Sequence, residues 1–346
     1  MQNNLYNTDP PIRIDLNNLN ILRCFAIMLV VLRHSFAPFY TAWEINTYYE
    51  TNAFIQTIGK YVATFSLPLF VFISGFIYAY LRIYKNKYNT YKILINKKVR
   101  RLLIPYFFFG IIYITFFMRY DHFIDFIKPF WYGAGHLWFL LMIFLVFLIF
   151  YPLELFFKKN VKLGVLIAIC CFIISPIFNY IGLDPIRDIT YYFIFFYTGY
   201  IFCSEYAVIN KFVQKNTFSF FVIHGILFLF SVLILKDINN RILALLINQL
   251  ITLILAMLAI SFSFGFFPTL KASKKTNHFI SNINKNSYYI YIIHQPLMMI
   301  LFSWSFMHSL PPYLIIIIGF SVGFFISLLI SEIFFNNRVS KVLIGS

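Results

Sequence analysis

The sequence predicts an all-α integral membrane protein, and three observations lead to that prediction. Hydrophobic residues make up 61% of the 346 residues, charged residues make up only 12%, and the mean hydropathy is +0.78. A soluble domain of this size carries about a quarter charged residues. The apolar residues also fall into runs long enough to cross a bilayer as helices. Between these runs, no polar segment is long enough to form a separate soluble domain.

Apolar runs of about 17 to 25 residues predict membrane spans, because a helix of that length crosses the hydrocarbon core. Ten such runs occur, at 19–41, 61–82, 102–118, 136–157, 161–179, 189–205, 217–235, 241–267, 286–306 and 312–335. Pro68 is expected to kink the second of them. We therefore expect a bundle of about ten transmembrane helices at 19–335, between a polar cytoplasmic tail at 1–18 and another at 336–346.

The basic residues predict the orientation of the chain. With the N-terminus in the cytoplasm, the inner segments hold 21 of the Lys and Arg residues and the outer segments hold 6. Cytoplasmic segments of membrane proteins carry this kind of excess, so both termini are predicted to be cytoplasmic. The same asymmetry accounts for most of the formal net charge of +16. A nucleic-acid partner is therefore not expected, whereas membrane lipids are.

The first span carries three ionisable side chains, Arg23, Arg33 and His34. Such groups are expensive inside a membrane and are functional candidates for that reason. At about 100° per residue, the eleven steps from Arg23 to His34 bring both onto one stripe of the helix, roughly 16 Å apart along its axis. Arg33 points about 80° away from that stripe, and its role stays open.

A strongly basic inner loop follows the second span. Lys98 and Arg101 are three residues apart there and share a helix face, with Lys97 and Arg100 beside them. The topology signal and attraction to anionic lipid are one explanation of this loop. An anion site is the other, because paired cations at the membrane surface can hold the phosphates of a nucleotide-type donor.

Five further side chains are candidates for supporting roles. Ser74 lies in the second span, where small residues usually allow close helix packing. His136 and Trp138 lie where the fourth span begins, a common place for interfacial anchors. Tyr291 and His294 are three residues apart in the ninth span, where a buried histidine can be only a satisfied hydrogen-bonding group. For each of them, a place in a substrate cavity is the functional alternative.

Several common catalytic signals are absent from the sequence. It has no Gly-rich phosphate loop, no His-Glu-x-x-His motif and no serine nucleophile elbow. The four cysteines lie in apolar runs without metal-ligand or redox spacing. We therefore predict no metal site and no permanently bound cofactor.

Six short motifs in this order resemble those of the membrane-bound acyltransferase type 3 family. They are Arg23 with His34, Pro68–Gly75, Lys98-x-x-Arg101 before Pro105, His136–Leu140, Phe196–Gly199 and Tyr291-x-x-His294-x-Pro296. The match runs from about residue 16 to 335. Many members carry an acidic residue where this chain has Asn20, with Asp15 further upstream. The chain is similar to the stand-alone, O-acetyltransferase-like members, which lack the extra periplasmic domain found in others.

The resemblance implies transfer of an acetyl or other short acyl group from cytoplasmic acyl-CoA to a hydroxyl of a cell-surface or lipid-linked glycan. It also implies a multi-pass location in the bacterial inner membrane. His34 would act as a general base or as a transiently acylated nucleophile. Arg23 would stabilise or position the donor, and His136 and His294 would orient the substrate or His34.

A transport protein is the competing hypothesis. About ten spans with buried charges also fit an exporter that moves a glycan or lipid without acylating it. The sequence has no evident repeat of the kind many transporters show, and its basic inner loop favours a phosphate-bearing donor.

Overall fold

A computed structural model describes residues 16–40, 49, 52–118, 121–234, 241–270 and 273–334. These residues form helices and connecting turns, with no strand among them. The first helices are α1 (Leu16–Ser35), α2 (Ala53–Ala79), α3 (Tyr91–Lys98), α4 (Ile104–Phe117) and α5 (Phe123–Tyr132). The middle ones are α6 (Trp138–Lys159), α7 (Val161–Tyr180), α8 (Asp184–Ser204), α9 (Tyr206–Lys215) and α10 (Thr217–Ile234). The last are α11 (Arg241–Phe266), α12 (Lys274–Phe302), α13 (Ser305–His308), α14 (Pro312–Ser321) and α15 (Ser327–Phe334).

Three segments of π-helix extend or join these helices. Tyr80–Tyr84 continues α2, Val99–Leu103 joins α3 to α4, and Val322–Ile326 joins α14 to α15. A π turn holds more residues than an α turn, so it changes which side chains share a face. The segment 99–103 matters most, because it carries part of the predicted anion site.

The predicted fold class is confirmed: the protein is an all-α membrane protein. Seven helical segments of the described chain are long and apolar enough to cross a bilayer, and eight are if α8 and α9, bent by 103°, count as one. Each of the ten predicted runs overlaps at least one helix of the described chain. The apolar part of α10 is short, however, and α12 begins with a polar segment. The count of ten is therefore not confirmed. Residues 16–18 of the predicted N-terminal tail belong to α1, and the rest of both predicted tails lies outside the described residues.

The described residues group into two compact units, which are described separately. The first unit contains the described residues within Met1–Leu22, Pro68–Ile95 and Leu148–Ala272. Two glycines bring α2 and α8 into backbone contact there. A Cβ on Gly75 would lie 2.0 Å from the carbonyl oxygen of Phe196, and a Cβ on Gly199 would lie 2.0 Å from that of Phe72. Only glycine allows this approach, which is how small residues pack membrane helices.

A buried ion pair links α2 to α6 in the first unit. Glu154 Oε2 accepts hydrogen bonds from Arg82 Nε at 3.1 Å and from the Tyr78 hydroxyl at 3.0 Å, while Oε1 accepts from the Tyr200 hydroxyl at 3.3 Å. Arg82 also donates to the carbonyl oxygen of Tyr88 at 3.0 Å. The carboxylate is thus held by three side chains, which is what a buried charge requires.

The second unit takes the described residues within Arg23–Leu67, Asn96–Phe147 and Ser273–Ser346. Helix α12 is its centre and contacts α4, α13, α14, α15 and the π segment 322–326. Helix α1 lies beside α12, since the Cys24 thiol donates to the carbonyl oxygen of Ile280 at 3.1 Å. Gly323 lies against both helices: a Cβ there would be 2.3 Å from Met298 and 3.2 Å from Val31.

Replacing Glu154 by Gln should destabilise the protein by about 3 kcal/mol, because it leaves the Arg82 charge buried without its counter-ion. Thermal unfolding in detergent measures the effect. The double variant Arg82→Gln/Glu154→Gln should recover part of the loss, and Glu205→Gln, at an exposed site, should change the free energy of unfolding by about 0.5 kcal/mol at most. Equal melting temperatures for Glu154→Gln and Glu205→Gln would contradict the role assigned to the ion pair.

Candidate functional site

Three of the predicted histidines meet in the second unit. His34 comes from the end of α1, His294 from the middle of α12, and His136 from the 3₁₀ turn Gly135–Leu137 before α6. His294 stands between the other two, with ring centroids 4.9 Å from His34 and 5.2 Å from His136. His294 is fully buried, His136 is 5% exposed, and His34 is only partly buried. His34 is therefore the member of this histidine cluster that a ligand can reach most directly.

The hydrogen bonds of two histidines determine their tautomers. His34 Nδ1 lies 2.8 Å from the carbonyl oxygen of Val30, and His294 Nδ1 lies 3.0 Å from that of Ile290, in each case four residues back in the same helix. A carbonyl oxygen only accepts, so each Nδ1 carries the hydrogen of the neutral ring. The remaining lone pair of each ring is then on Nε2. The base nitrogen of neutral His34 is therefore Nε2.

His294 completes this arrangement as a hydrogen-bond acceptor. Its Nε2 lies 3.2 Å from His34 Nδ1, and with the tautomers above it accepts from the same N–H that Val30 holds. Two acceptors thus orient the His34 ring through its Nδ1 side. A ring held in this way presents Nε2 in a fixed direction, which is what a general base needs.

His136 is held against α12 by two hydrogen bonds. Its Nε2 donates to the carbonyl oxygen of Ile292 at 3.0 Å, and the hydroxyl of Tyr291 donates to the carbonyl oxygen of His136. The turn before it needs glycine, because Gly135 has a φ of +54° and a Cβ there would lie 2.3 Å from Tyr113 Cζ. This turn and Tyr291 together fix the position of His136 in the cluster.

The other two predicted supporting residues have ordinary structural contacts. Trp138 is half-buried at the start of α6, and a Cβ on Gly133 would lie 2.1 Å from its Cβ. Ser74 belongs to the first unit, and its hydroxyl donates to the carbonyl oxygen of Phe70 at 3.0 Å within its own helix. These contacts agree with the packing alternative for Ser74, and a substrate role for either residue stays a prediction.

Several predicted cations come together at the other end of the same pair of helices. Arg23 Nη2 lies 3.5 Å from Ser287 Oγ, and the Tyr288 hydroxyl donates to the backbone carbonyl of Arg101 at 2.8 Å. The positive charge of Arg101 is close enough to act on both Arg23 and Lys98. We call Arg23, Lys98 and Arg101 the cation cluster.

Lys98 Nζ lies 3.4 Å from the ring centroid of Phe147, so its charge also gains a cation–π interaction. Lys97 and Arg100 are exposed. Because Val99–Leu103 is π-helical, Lys98 and Arg101 do not follow the α-helical spacing from which their shared face was predicted. Their charges nonetheless act on each other across this turn.

Two members of the cation cluster, Arg23 and Arg101, form no ion pair among the residues that the structure describes. There the ion pairs join Arg82 to Glu154, Lys128 to Asp125 and Arg187 to Asp188. Neither Arg23 nor Arg101 has an acidic partner in this part of the chain. Like charges brought together in this way favour an anionic ligand.

The histidine cluster does not form a metal site. Within the described ranges, no three His, Cys, Asp or Glu side chains are placed to hold a metal ion. The hydrogen bonds give the reason, since Nδ1 of His34, Nδ1 of His294 and Nε2 of His136 all face backbone carbonyls. The arrangement suits proton transfer instead.

Two side chains at the site were not among the predicted residues. Gln295, next to His294, donates through Nε2 to the hydroxyl of Tyr113 at 3.3 Å. Tyr113 lies on α4, and its ring centroid is 6.0 Å from that of His136. Gln295 could have been found because it adjoins His294 in the sequence, whereas nothing in the sequence around Tyr113 distinguishes it from other aromatic residues.

The fold and this site define a class: a multi-span helical membrane protein with three histidines packed together and a cluster of cations near the other end of the α1–α12 pair. The family comparison is consistent with this. Residues 16–332 match the family model of the acyltransferase domain known as acyltransferase 3, and the chain belongs to that family. The protein is therefore a membrane acyltransferase. No curated protein and no solved structure matches it.

The turn that places His136 can be tested by Gly135→Ala, which adds a Cβ both at positive φ and against Tyr113. We expect a loss of about 2–4 kcal/mol in the free energy of unfolding, measured by thermal unfolding in detergent. Gly182→Ala is the matched control, because Gly182 also has positive φ (+74°) but no atom within 4 Å of the added Cβ. If both variants lose the same stability, the contact with Tyr113 contributes nothing.

Proposed function

We propose that this acyltransferase moves an acetyl or other short acyl group from cytoplasmic acyl-CoA to a hydroxyl of a cell-surface or lipid-linked glycan, at the bacterial cell membrane. The observation that carries the proposal is the pair His34 and His294. Their hydrogen bonds place a basic nitrogen at the least buried position of the cluster. Membership of an acyltransferase family argues against the exporter hypothesis.

In the proposed reaction His34 Nε2 takes the proton of the acceptor hydroxyl as its oxygen attacks the thioester carbonyl carbon. The C–S bond then breaks, and the departing thiolate takes the proton from His34 and leaves as free CoA. While His34 is positively charged, its Nδ1–H remains shared between Val30 and His294. His294 thus acts on the reaction by positioning His34 and stabilising its protonated form.

A two-step course is the alternative. In it Nε2 of His34 attacks the thioester itself, CoA leaves, and the acyl-imidazole then transfers its acyl group to the hydroxyl. Both courses use the same nitrogen and the same tautomer. They differ in whether labelled acyl groups can be trapped on the protein before the acceptor is added.

The cation cluster supports binding of the donor. Acyl-CoA carries several phosphate charges, and the cation cluster brings three positive charges together, of which Arg23 and Arg101 form no ion pair among the described residues. Lys97 and Arg100 lie beside them in the sequence and are exposed. Arg23 is roughly 16 Å from His34 along α1, too far to touch the reacting carbonyl. We therefore assign Arg23 to binding the donor phosphates.

His34→Ala should abolish acyl transfer while leaving expression and membrane insertion intact, because the only proposed base is lost. Membranes incubated with radiolabelled acetyl-CoA provide the assay, with label in the glycan or lipid fraction as the readout. His278→Ala is the matched control, since His278 is an exposed histidine at the start of α12. Retained transfer in His34→Ala would contradict the mechanism, and normal acylation together with defective export on deletion would support the exporter instead.

Arg101→Gln should raise KM for acetyl-CoA about tenfold or more, because a charge-assisted hydrogen bond contributes about 1.5–3 kcal/mol. Lys92→Gln, a change at an exposed lysine of α3, should leave KM unaltered. Acetyl-pantetheine lacks the phosphates. It therefore separates the loss of a phosphate contact from any other effect of Arg101→Gln on KM. A KM increase of the same size for that donor would show that Arg101 does not act on phosphate.

A further inference from the structure

Two buried atoms at the histidine cluster have no hydrogen-bond partner. They are Nδ1 of His136 and Oε1 of Gln295, in side chains that are 5% and 3% exposed. An unsatisfied buried acceptor destabilises the folded protein, so such atoms are uncommon and call for an explanation. Two of them in one cluster indicate a site that is complete only when a ligand supplies hydrogen-bond donors.

Both atoms belong to the surroundings of His294. Gln295 follows His294 in α12, and the His136 ring is 5.2 Å from that of His294. Tyr113 joins them, since it receives a hydrogen bond from Gln295 Nε2 and its ring lies against His136. Both atoms are therefore in side chains that adjoin His294, the partner of the proposed base.

The protein groups nearby cannot supply the missing hydrogens. The hydroxyl of Tyr113 has one hydrogen, and it points to the sulfur of Met299 at 3.3 Å. The hydroxyl of Tyr291 donates to the backbone of His136. His136 Nδ1 is a lone-pair acceptor because its Nε2 donates to Ile292.

We propose that His136 Nδ1 and Gln295 Oε1 form a subsite that accepts a hydrogen bond from a second hydroxyl of the acyl acceptor, one that does not react. The proposal rests on the proposed function, because it concerns the acceptor of that reaction. Two neutral lone-pair acceptors suit O–H donors and do not suit phosphate, carboxylate or ether oxygens. The subsite therefore selects acceptors of the polyol or sugar class over simple alcohols.

Both atoms are closed to solvent in this conformation, so acceptor binding must move Gln295 or its neighbours aside. Once bound, the hydroxyl is removed from water. A site of this kind discriminates strongly against an analogue that lacks the hydroxyl, because the buried acceptors then stay unpaired. An ordered water would offer the same hydrogens, and the experiment must separate it from a substrate hydroxyl.

The test compares two acceptors of equal chain length, 1,2-octanediol and 1-octanol, with acetyl-CoA and the full-length protein in lipid nanodiscs. We expect kcat/KM to be about tenfold higher for the diol, the effect of one hydrogen bond to buried acceptors. In Gln295→Met, which keeps the length of the side chain but removes the acceptor, the preference for the diol should fall towards one. Gln214→Met, at an exposed position of α9, should keep the wild-type preference.

Several outcomes would overturn the subsite while leaving the proposed function in place. One is equal transfer to both alcohols by the wild-type protein, a comparison that needs no variant to fold. Another is an equal fall in kcat/KM for both alcohols in Gln295→Met, which would assign the missing hydrogens to a bound water. A third is label entering the native glycan or lipid fraction but not the diol. Absence of label from every hydroxyl compound would instead refute the proposed function.

Discussion

A polar side chain inside a membrane span has only protein groups to hydrogen-bond with, and this constraint organises both units. Glu154 is held by Arg82, Tyr78 and Tyr200, and the amide of Asn282 donates to Glu332. His34 and His294 each use a carbonyl of their own helix. A buried polar atom that has no hydrogen-bond partner is therefore informative. His136 Nδ1 and Gln295 Oε1 are two such atoms among the described residues, and both lie in the second unit together with the cation cluster.

Helix α12 brings these places onto one scaffold. Ser287 and Tyr288 contact Arg23 and the Arg101 backbone, and two turns further along the helix His294 contacts His34. Helix α1 runs beside it and carries Arg23 and His34 about three turns apart. The proposed donor site and the proposed base are thus at two levels of the same helix pair. An elongated thioester fits this layout, because its phosphates and its reactive carbon must be held far apart.

The helices and part of the candidate site could be predicted from the sequence. The remaining features of the site could not, for physical reasons. Hydropathy predicts the helices because bilayer thickness sets their length, and helical periodicity places Arg23 and His34 on one stripe. The π turn at Val99–Leu103 has no comparable signal, so the face shared by Lys98 and Arg101 was derived from the wrong helix type. The proximity of His34, His136 and His294 depends on tertiary packing, which periodicity within single helices does not determine.

Gln295 and Tyr113 show the limit of motif-based reasoning most clearly. Histidine and arginine attract attention because their charges are costly in a membrane, whereas a glutamine and a tyrosine carry none. Their importance comes from their hydrogen bonds, since Gln295 Nε2 donates to Tyr113 whereas Gln295 Oε1 has no partner. An unsatisfied atom can be recognised only when the positions of all its neighbours are known. A histidine base could be proposed from one span, but the groups that would select its substrate emerge only where α4, α12 and the turn before α6 meet.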